Sequence, residues 1–509
     1  MDDIHVSTFG VEKLLRGLKT SKAVGPDNIH PWVLKELATD IAPTISHIFQ
    51  QSITDGSLPR DWRTANICPI YKKNDVSSPC NYRPVSLTSI CCKLLEHIIS
   101  SNIMEHFQNN NILSANQHAF RKYHSCETQL VSVINEWASS LDQRKQVDVF
   151  ILDFEKAFDT VPHELLKSKL YTMGVSHQVL CWVDAFLSDR EQSVVVNGSR
   201  SNPSKVTSGV PQGSVLGPIL FLAYINDIGN AVSSGVRLFA DDCVCYRVID
   251  DVSDGHQLQE DINILGQWAK DWGMSFQPVK CNIMTITRKR KPVIFNYMLN
   301  GVHLVKVDCV KYLGIHITSD LNWGKHIQNV CNKGNRILGV LRRNLSPCSK
   351  DAKLAAYKGL LLPVLEYASS VWDPHQAFLQ HNLENIQRRA ARFIASDYSR
   401  EPGSVSSLLR DLNLVPLAER RRQSRIILFA KGIYGQAQIP IDCLRKPLRR
   451  SRNMHDMHFC QLYASTNCYK YSFFPNTIRD WNSLPSDLIS SSSGSVNPVT
   501  YISTRVRSN

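Results

Sequence analysis

Val236-Arg237-Leu238-Phe239-Ala240-Asp241-Asp242-Cys243-Val244-Cys245-Tyr246-Arg247-Val248 is a β-prone apolar segment broken in its middle by two acids. Such a pattern reads as a hairpin with Asp241-Asp242 at its turn. Earlier, Val147-Asp148-Val149-Phe150-Ile151-Leu152-Asp153-Phe154 is a second segment of the same kind, with Asp153 at its end. If strand and hairpin are neighbours in one antiparallel sheet, the carboxylates of Asp153 and Asp241 converge from distant parts of the chain. Hard divalent cations want carboxylate oxygens on rigid backbone, and nucleotidyl transfer uses two such ions about 3.5–4 Å apart. An Asp-Asp pair in a turn is an ordinary feature by itself, so its surroundings decide its meaning.

Between the two segments lies Ser208-Gly209-Val210-Pro211-Gln212-Gly213-Ser214, a turn-rich loop feeding a helix from about Val215 to Asp227 that is apolar nearly all round and expected to be buried. Phe9 to Phe49 reads as two helices separated by a loop at Lys22–Asp27. Residues 65–90 read as short strands around a polar turn, followed by a helix to about Phe107. After Asn300 the strands are expected to give way to helices. In one of these, Lys325 to Leu345, an apolar face of Ile327, Val330, Cys331, Ile337, Leu338, Leu341 and Leu345 stands apart from Lys333, Arg336, Arg342 and Arg343. Residues 486–509 are Ser-rich with little core-forming pattern.

The chain has 509 residues, enough for about three domains of ~150 residues, and 43% of them are apolar. That composition excludes wholesale disorder and a small disulfide scaffold. The formal net charge is +13. Residues 388–452 alone hold 15 Lys/Arg against 5 Asp/Glu, which points to a polyanionic partner. Fifteen cysteines without framework spacing, and no signal-peptide pattern at the start, suggest free thiols in a reducing intracellular compartment. The longest apolar run, Val215–Ile225, is too short to span a bilayer, so no membrane partner is expected.

Taken in order, Ile151-Leu152-Asp153-Phe154-Glu155-Lys156-Ala157-Phe158-Asp159, Gly209-Val210-Pro211-Gln212-Gly213-Ser214, Phe239-Ala240-Asp241-Asp242 and Lys311-Tyr312-Leu313-Gly314 resemble the successive motifs of reverse transcriptases, more narrowly those of non-LTR (LINE-type, jockey-like) retrotransposons. Lys22–Asp27 and Asn81–Leu87 resemble that family's fingers segments, and Phe474–Pro485 its C-terminal block. The resemblance implies an α+β right-hand polymerase with fingers, a palm with an antiparallel sheet, a helical thumb and a basic helical C-terminal region. The expected divisions are an N-terminal extension and fingers in 1–145, a palm in 146–320 with a fingers insertion near 165–205, a thumb-like region in 321–385, the basic region in 386–485 and a Ser-rich tail in 486–509.

The same resemblance makes Asp153, Asp241 and Asp242 the catalytic acids, holding two Mg²⁺ for attack of a primer 3′-hydroxyl on the α-phosphate of a dNTP. Phe158, five residues after Asp153, matches the steric gate against a 2′-hydroxyl. This disfavours an RNA-dependent RNA polymerase, since Phe cannot hydrogen-bond that group. Lys72 and Arg83 match the clamp on the triphosphate, Gln212 and Gly213 the nucleotide-positioning loop, and Lys280, more loosely, a lysine that protonates pyrophosphate. Asp159 is expected to be structural, and Tyr312-Leu313-Gly314 resembles the turn that braces the primer.

The implied partners are an RNA template and a DNA primer, in the nucleus and cytoplasm, with a separate endonuclease activity supplying the nick. Nothing in this sequence resembles an endonuclease. Arg388-Arg389, Arg392, Arg420-Arg421-Arg422, Arg425 and Arg445 to Arg452 are expected to bind nucleic-acid backbone. Arg288-Lys289-Arg290-Lys291 reads either as a nuclear import signal or as a charged hairpin loop. His455, His458, Cys460 and Cys468 lack the spacing of a zinc knuckle, so no structural metal is expected. Where the family has Gly, this chain has Ala119 and Tyr123, which suggests a strained loop and an alternative identity as an inactive nucleic-acid-binding remnant.

Overall fold

The computed structural model describes residues 1–399, 401–449, 454–489 and 498–508. Helix α1 (Thr8–Arg16) starts where the Ser7 hydroxyl accepts the N–H of Gly10. The expected second helix is split at Leu37 into α2 (Pro31–Glu36) and α3 (Ala38–Asp55), and α3 stops at Gly56, φ 59°. Strands β1 (Thr64–Tyr71) and β2 (Tyr82–Leu87) form the hairpin read from residues 65–90, and α4 (Ile90–Asn109) follows. A capping box between Ser125 and Thr128 opens α5 (Cys126–Asp142), which leads into β3 (Gln146–Leu152).

Next come α6 (Ala157–Thr160), α7 (His163–Thr172), α8 (His177–Leu187), β4 (Arg190–Val196), β5 (Ser199–Arg200) and β6 (Ser204–Val206). Strand β4 lies parallel to β1, so the segment between the two acid-bearing regions completes the sheet that the N-terminal hairpin begins, in the order β2-β1-β4-β5 with β6 also on β4. Helix α9 (Gly217–Ile225) buries Ile219 through Ile225 without a break, as its all-round apolar surface requires.

Strands β7 (Gly235–Phe239) and β8 (Asp242–Ile249) are the expected acidic hairpin, followed by α10 (Val252–Asp271) and β9 (Asn282–Ile286). Contrary to expectation, strands persist past Asn300: β10 (Met298–Leu299) is followed by β11 (Val302–His303), β12 (Val305–Lys306), β13 (Cys309–Tyr312) and β14 (Ile315–Thr318). They are two to four residues long, and polar turn residues between them hide any two-residue period.

The central sheet has the order β12-β9-β3-β8-β7, with β3 antiparallel to both β8 and β9. Its middle strand is covered on both faces. Phe150 and Leu152 pack into the core built around α4, α8, α9 and α10, whereas Val147 and Val149 join Leu130, Val133 and Trp137 of α5 in a second core. A strand buried on both sides has no polar face to show, which explains its near-continuous apolar run.

The second core continues through α11 (Gly324–Leu345), α12 (Lys350–Ala356), α13 (Leu362–Glu366), α14 (Ser369–Trp372), α15 (Ala377–Ala395), α16 (Ser404–Asp411) and α17 (Leu417–Ile433), then α18 (Asn467–Lys470), α19 (Phe473–Asn482), α20 (Ser486–Ile489) and α21 (Pro498–Ser508). The apolar face read from Lys325–Leu345 is inside, with Lys333, Arg336, Arg342 and Arg343 exposed. None of the helices among the described residues is long and apolar enough to cross a membrane.

Two expectations are overturned in this half. Arg421 and Arg425 are not part of a nucleic-acid surface, being buried against Asp373, and Arg425 also reaches Asp480 at 2.8 Å; the half-buried Arg420 grips Glu366 with two nitrogens, and Arg422 pairs with Glu419. Acids on α13, the α14 end and α19 neutralise them, so packing α17 between those helices consumes the charge. The Ser-rich tail is not without core either, because Val499, Ile502 and Val506 of α21 are buried beside α17. Arg388 and Arg389 on α15, and Arg445 and Arg449, remain exposed, while Arg450 and Arg452 lie outside the described residues.

Candidate active site

The pairing Leu152↔Cys243 aligns the end of β3 with the start of β8, which places Asp153 beside Asp242 at one end of the sheet. Phe239↔Asp242 closes the hairpin ladder, leaving Ala240 and Asp241 as a two-residue turn with Ala240 at φ 53°. Asp153 is held by its backbone. Its N–H donates to the Cys281 sulfur at 3.4 Å, and its carbonyl accepts the N–H of Gln277 at 2.8 Å. The three carboxylates expected from sequence are therefore brought together.

Their electrostatics record the crowding. Asp241 and Asp242 keep surface open to solvent, yet protein walls the hairpin end, and loss of water is the largest cause raising both pKa values. The negative charge of Asp153 pushes Asp241 further up, and those of Asp241 and Asp153 help to push Asp242 to about 6. Opposing this, the charges of Arg83 and Lys72 pull Asp241 back down. Those two cations, exposed at the loop end of the β1–β2 hairpin, thus lie within electrostatic reach of the acids.

Phe158, on α6, is half-buried with its ring stacked on Phe221 of α9 at 4.4 Å between centroids. Beneath it, Val210 N–H donates to the Phe158 carbonyl at 2.7 Å, so the 208–214 loop seats α6. Gln212 ties that loop sideways: its carbonyl accepts the N–H of Ser86 at 2.7 Å, and its Nε2 donates to Asp159 Oδ1 at 2.9 Å. Asp159 therefore has a structural partner. Gly213 has φ 113°, and a Cβ there would lie 2.8 Å from the Ser86 carbonyl oxygen, so no larger residue fits this crossing onto β2. The Ser214 hydroxyl accepts the N–H of Gly217, the first residue of α9.

Lys280 is exposed on the loop that holds Asp153, but forms no ion pair with the three acids among the described residues. The Tyr312-Leu313-Gly314 turn joins β13 to β14, with Leu313 and Gly314 at φ 43° and 85°. Tyr312 is buried below it. Burial raises its hydroxyl pKa, and the charge of Asp242 adds to that, so the Tyr312 hydroxyl lies within electrostatic reach of Asp242.

Sequence reasoning missed Glu96, a fully buried acid of α4 whose Oε2 accepts the N–H groups of Val215 and Leu216 and so holds the start of α9. It also missed Gln117, whose neighbours were noted only for absent glycines. Tyr123 does occupy the left-handed region, φ 66°, whereas Ala119 does not and its neighbour Phe120 does, φ 54°.

Among the described residues, no group of three or more His, Cys, Asp or Glu side chains is gathered tightly enough to hold a metal ion alone. The donor set still suits Mg²⁺. Hard carboxylate oxygens that repel one another are relieved by a divalent cation, and Mg²⁺ is typically held through one or two carboxylates, with water and substrate phosphates completing its shell.

Residues 70–317 match the family described as reverse transcriptase (RNA-dependent DNA polymerase). The similarity of the chain is to reverse transcriptases of the non-LTR retrotransposon kind. The chain is 29% identical over 436 residues to the probable RNA-directed DNA polymerase from transposon BS of Drosophila melanogaster, covering 82% of this chain and 48% of that protein. It is 28% identical over 389 residues to the probable RNA-directed DNA polymerase from transposon X-element (74% and 42% of the two chains) and 27% identical over 401 residues to the RNA-directed DNA polymerase from mobile element jockey (76% and 43%), both of the same fly. The chain spans just under half the length of these relatives.

Proposed function

We propose that this chain is an RNA-directed DNA polymerase of a non-LTR retrotransposon, adding dNTPs to a primer 3′-hydroxyl on an RNA template. The observation that carries the reading is the meeting of Asp153, Asp241 and Asp242 at one sheet end, with Lys72 and Arg83 in electrostatic reach. In this reading the central sheet is the palm, the β2-β1-β4 sheet belongs to the fingers together with the 165–205 insertion, and α11 begins the thumb.

Asp153 and Asp241 would hold two Mg²⁺ ions, with Asp242 adding negative potential. The ions, when bound, lower the pKa of the attacking hydroxyl and neutralise charge on the leaving pyrophosphate. Lys72 and Arg83 bind the triphosphate tail, Arg83 aimed by the restricted backbone before Pro84. Phe158, its ring held by stacking on Phe221, excludes a 2′-hydroxyl. Gln212 and Gly213 form the floor on which the nucleotide and its template base sit, and Lys280 delivers a proton to pyrophosphate. Exposed cations on α11 and α15 follow the phosphate backbone of the template–primer duplex. An intracellular site of action, in nucleus and cytoplasm, and a nick made by a separate endonuclease activity complete the reading.

Primer extension on an RNA template with dNTPs and Mg²⁺ tests it, beside Asp241→Ala and an arm with ribonucleotides. Extension by wild type alone, with dNTPs alone, is the expected result. Equal extension by Asp241→Ala defeats the site assignment. A second reading, a non-catalytic RNA-binding remnant, is favoured by the left-handed Tyr123. It is the one that survives if folded protein binds RNA salt-sensitively but extends nothing.

A further inference from the structure

We propose that Gln117 is a positioning residue for the acid-bearing turn, holding Ala240 so that the Asp241 carboxylate points where a divalent cation is bound. This rests on the polymerase reading above and adds a residue to it. The segment Asn116–His118 runs parallel to β7 as a short extra rung: Leu238 N–H donates to the Asn116 carbonyl at 2.9 Å, and His118 N–H to the Leu238 carbonyl at 3.0 Å. Asn116 is itself anchored, its side-chain oxygen accepting from Arg237 of β7, whose guanidinium also grips Glu136 of α5. Gln117 is thereby fixed opposite Leu238, two residues ahead of the turn.

From there its side chain reaches the turn. Gln117 Oε1 accepts the N–H of Ala240 at 3.0 Å and that of Ala119 at 2.9 Å. Two donors on one atom settle which end of the amide is oxygen, since the NH₂ end would set donor against donor. The turn has reason to need this contact. Ala240 and Asp241 lie beyond the last ladder pair, Phe239↔Asp242, and Ala240 adopts φ 53°, a region that a residue with a Cβ holds only when its surroundings impose it. Ala240 is also buried, so without Gln117 its N–H would lack both protein and water.

The other end of the side chain sharpens the inference. Gln117 is 1% exposed, and its Nε2 is buried with no hydrogen-bond partner. What the position uses is the oxygen. A carboxylate would supply that oxygen but add a negative charge beside three others, so a neutral acceptor of this length is the residue that fits.

The test uses the full chain and four proteins: wild type, Gln117→Leu, Gln117→Asn and Asp241→Ala, each checked for folding by circular dichroism. Gln117→Leu removes the acceptor, and Gln117→Asn keeps the amide but is one methylene too short to reach Ala240. Outer partners of metal ligands usually matter by about 10–100-fold in affinity or activity. Both Gln117 variants are accordingly expected to bind Mn²⁺, followed by electron paramagnetic resonance without nucleic acid, about tenfold more weakly than wild type. In primer extension kcat should fall by about the same factor while the dNTP KM stays within about twofold. In the metal-free protein, hydrogen exchange of residues 236–243 should accelerate. If both variants bind Mn²⁺ as wild type does, or lose kcat and dNTP affinity together with unchanged Mn²⁺ binding, the positioning role is wrong. If Gln117→Leu does not fold, the same comparison is made on Gln117→Asn. Should wild type bind Mn²⁺ through Asp241 yet extend no primer, the polymerase reading fails alone, and Gln117 is still judged on Mn²⁺ binding and exchange.

Discussion

The protein gathers charge in two places and treats it in opposite ways. At the end of β3 and in the β7–β8 turn, Asp153, Asp241 and Asp242 stand together, their mutual repulsion opposed at Asp241 by a hydrogen bond from its own backbone N–H and by the distant pull of Arg83 and Lys72. Between α14, α17 and α19, Arg421 and Arg425 are deeply buried, but Asp373 and Asp480 meet them at hydrogen-bond distance. Folding pays a penalty for leaving like charges adjacent and gains little from burying matched ones. Charge left uncompensated therefore marks a place that awaits a ligand, whereas charge compensated inside marks a joint between helices. Density of charge in the sequence does not separate the two.

The sharpest way to break this contrast is at the acids. Asp241→Ala should lower primer extension by roughly a thousandfold or more, while the urea midpoint stays level or rises because a repulsive charge is gone. A large loss of stability would make the acid structural and erase the distinction. In the arginine joint the expectation reverses. Asp373→Ala strands the buried Arg421 guanidinium and leaves Arg425 with Asp480 alone, and should cost about 3–5 kcal/mol in urea unfolding, with extension by the remaining folded protein unchanged.

Acid gives a third, smaller handle. Burial holds His118 down at about 3 and His326 at about 4, and His326 Nδ1 accepts the N–H of His316, a role that protonation ends. The unfolded chain takes up protons near 6.5 while the native chain does not, so stability falls as pH drops below that value. The loss should be about 1 kcal/mol per histidine between pH 6.5 and 5.5. Replacing His326 with Gln should remove its share, as read from urea midpoints at both pH values. The smallest effect expected is on RNA binding: Arg388→Ala with Arg389→Ala should reduce the slope of log affinity against log salt by about 2. A comparable change from Arg421→Ala in folded protein would mean that the buried joint touches nucleic acid after all.

The site was legible where one strand or turn carries its own signature. The run from Val147 to Leu152 is apolar because β3 has core on both faces, and the acids interrupt their hairpin at the turn itself. Order along the chain then supplied what no single motif does. Partnerships across the chain were not legible. Arg420, Arg421 and Arg425 looked like an exposed cluster because the acids that neutralise them, Glu366, Asp373 and Asp480, lie some fifty residues away on other helices. Val499, Ile502 and Val506 do recur at helical spacing, but serines and threonines around them diluted the pattern. Gln117 carries no local signal, since an amide's acceptor role depends on which N–H the fold brings to it.

The parallel contact between β1 and β4 has a consequence for how the chain is made. On the ribosome, Thr64–Tyr71 emerges with its hairpin partner but more than a hundred residues before Arg190–Val196. For that interval one side of β1 offers bare amides and carbonyls to any other nascent strand. A product terminated anywhere between the two should therefore be prone to precipitate, and co-expression of a fragment that begins before residue 190 should rescue its solubility by supplying the absent edge.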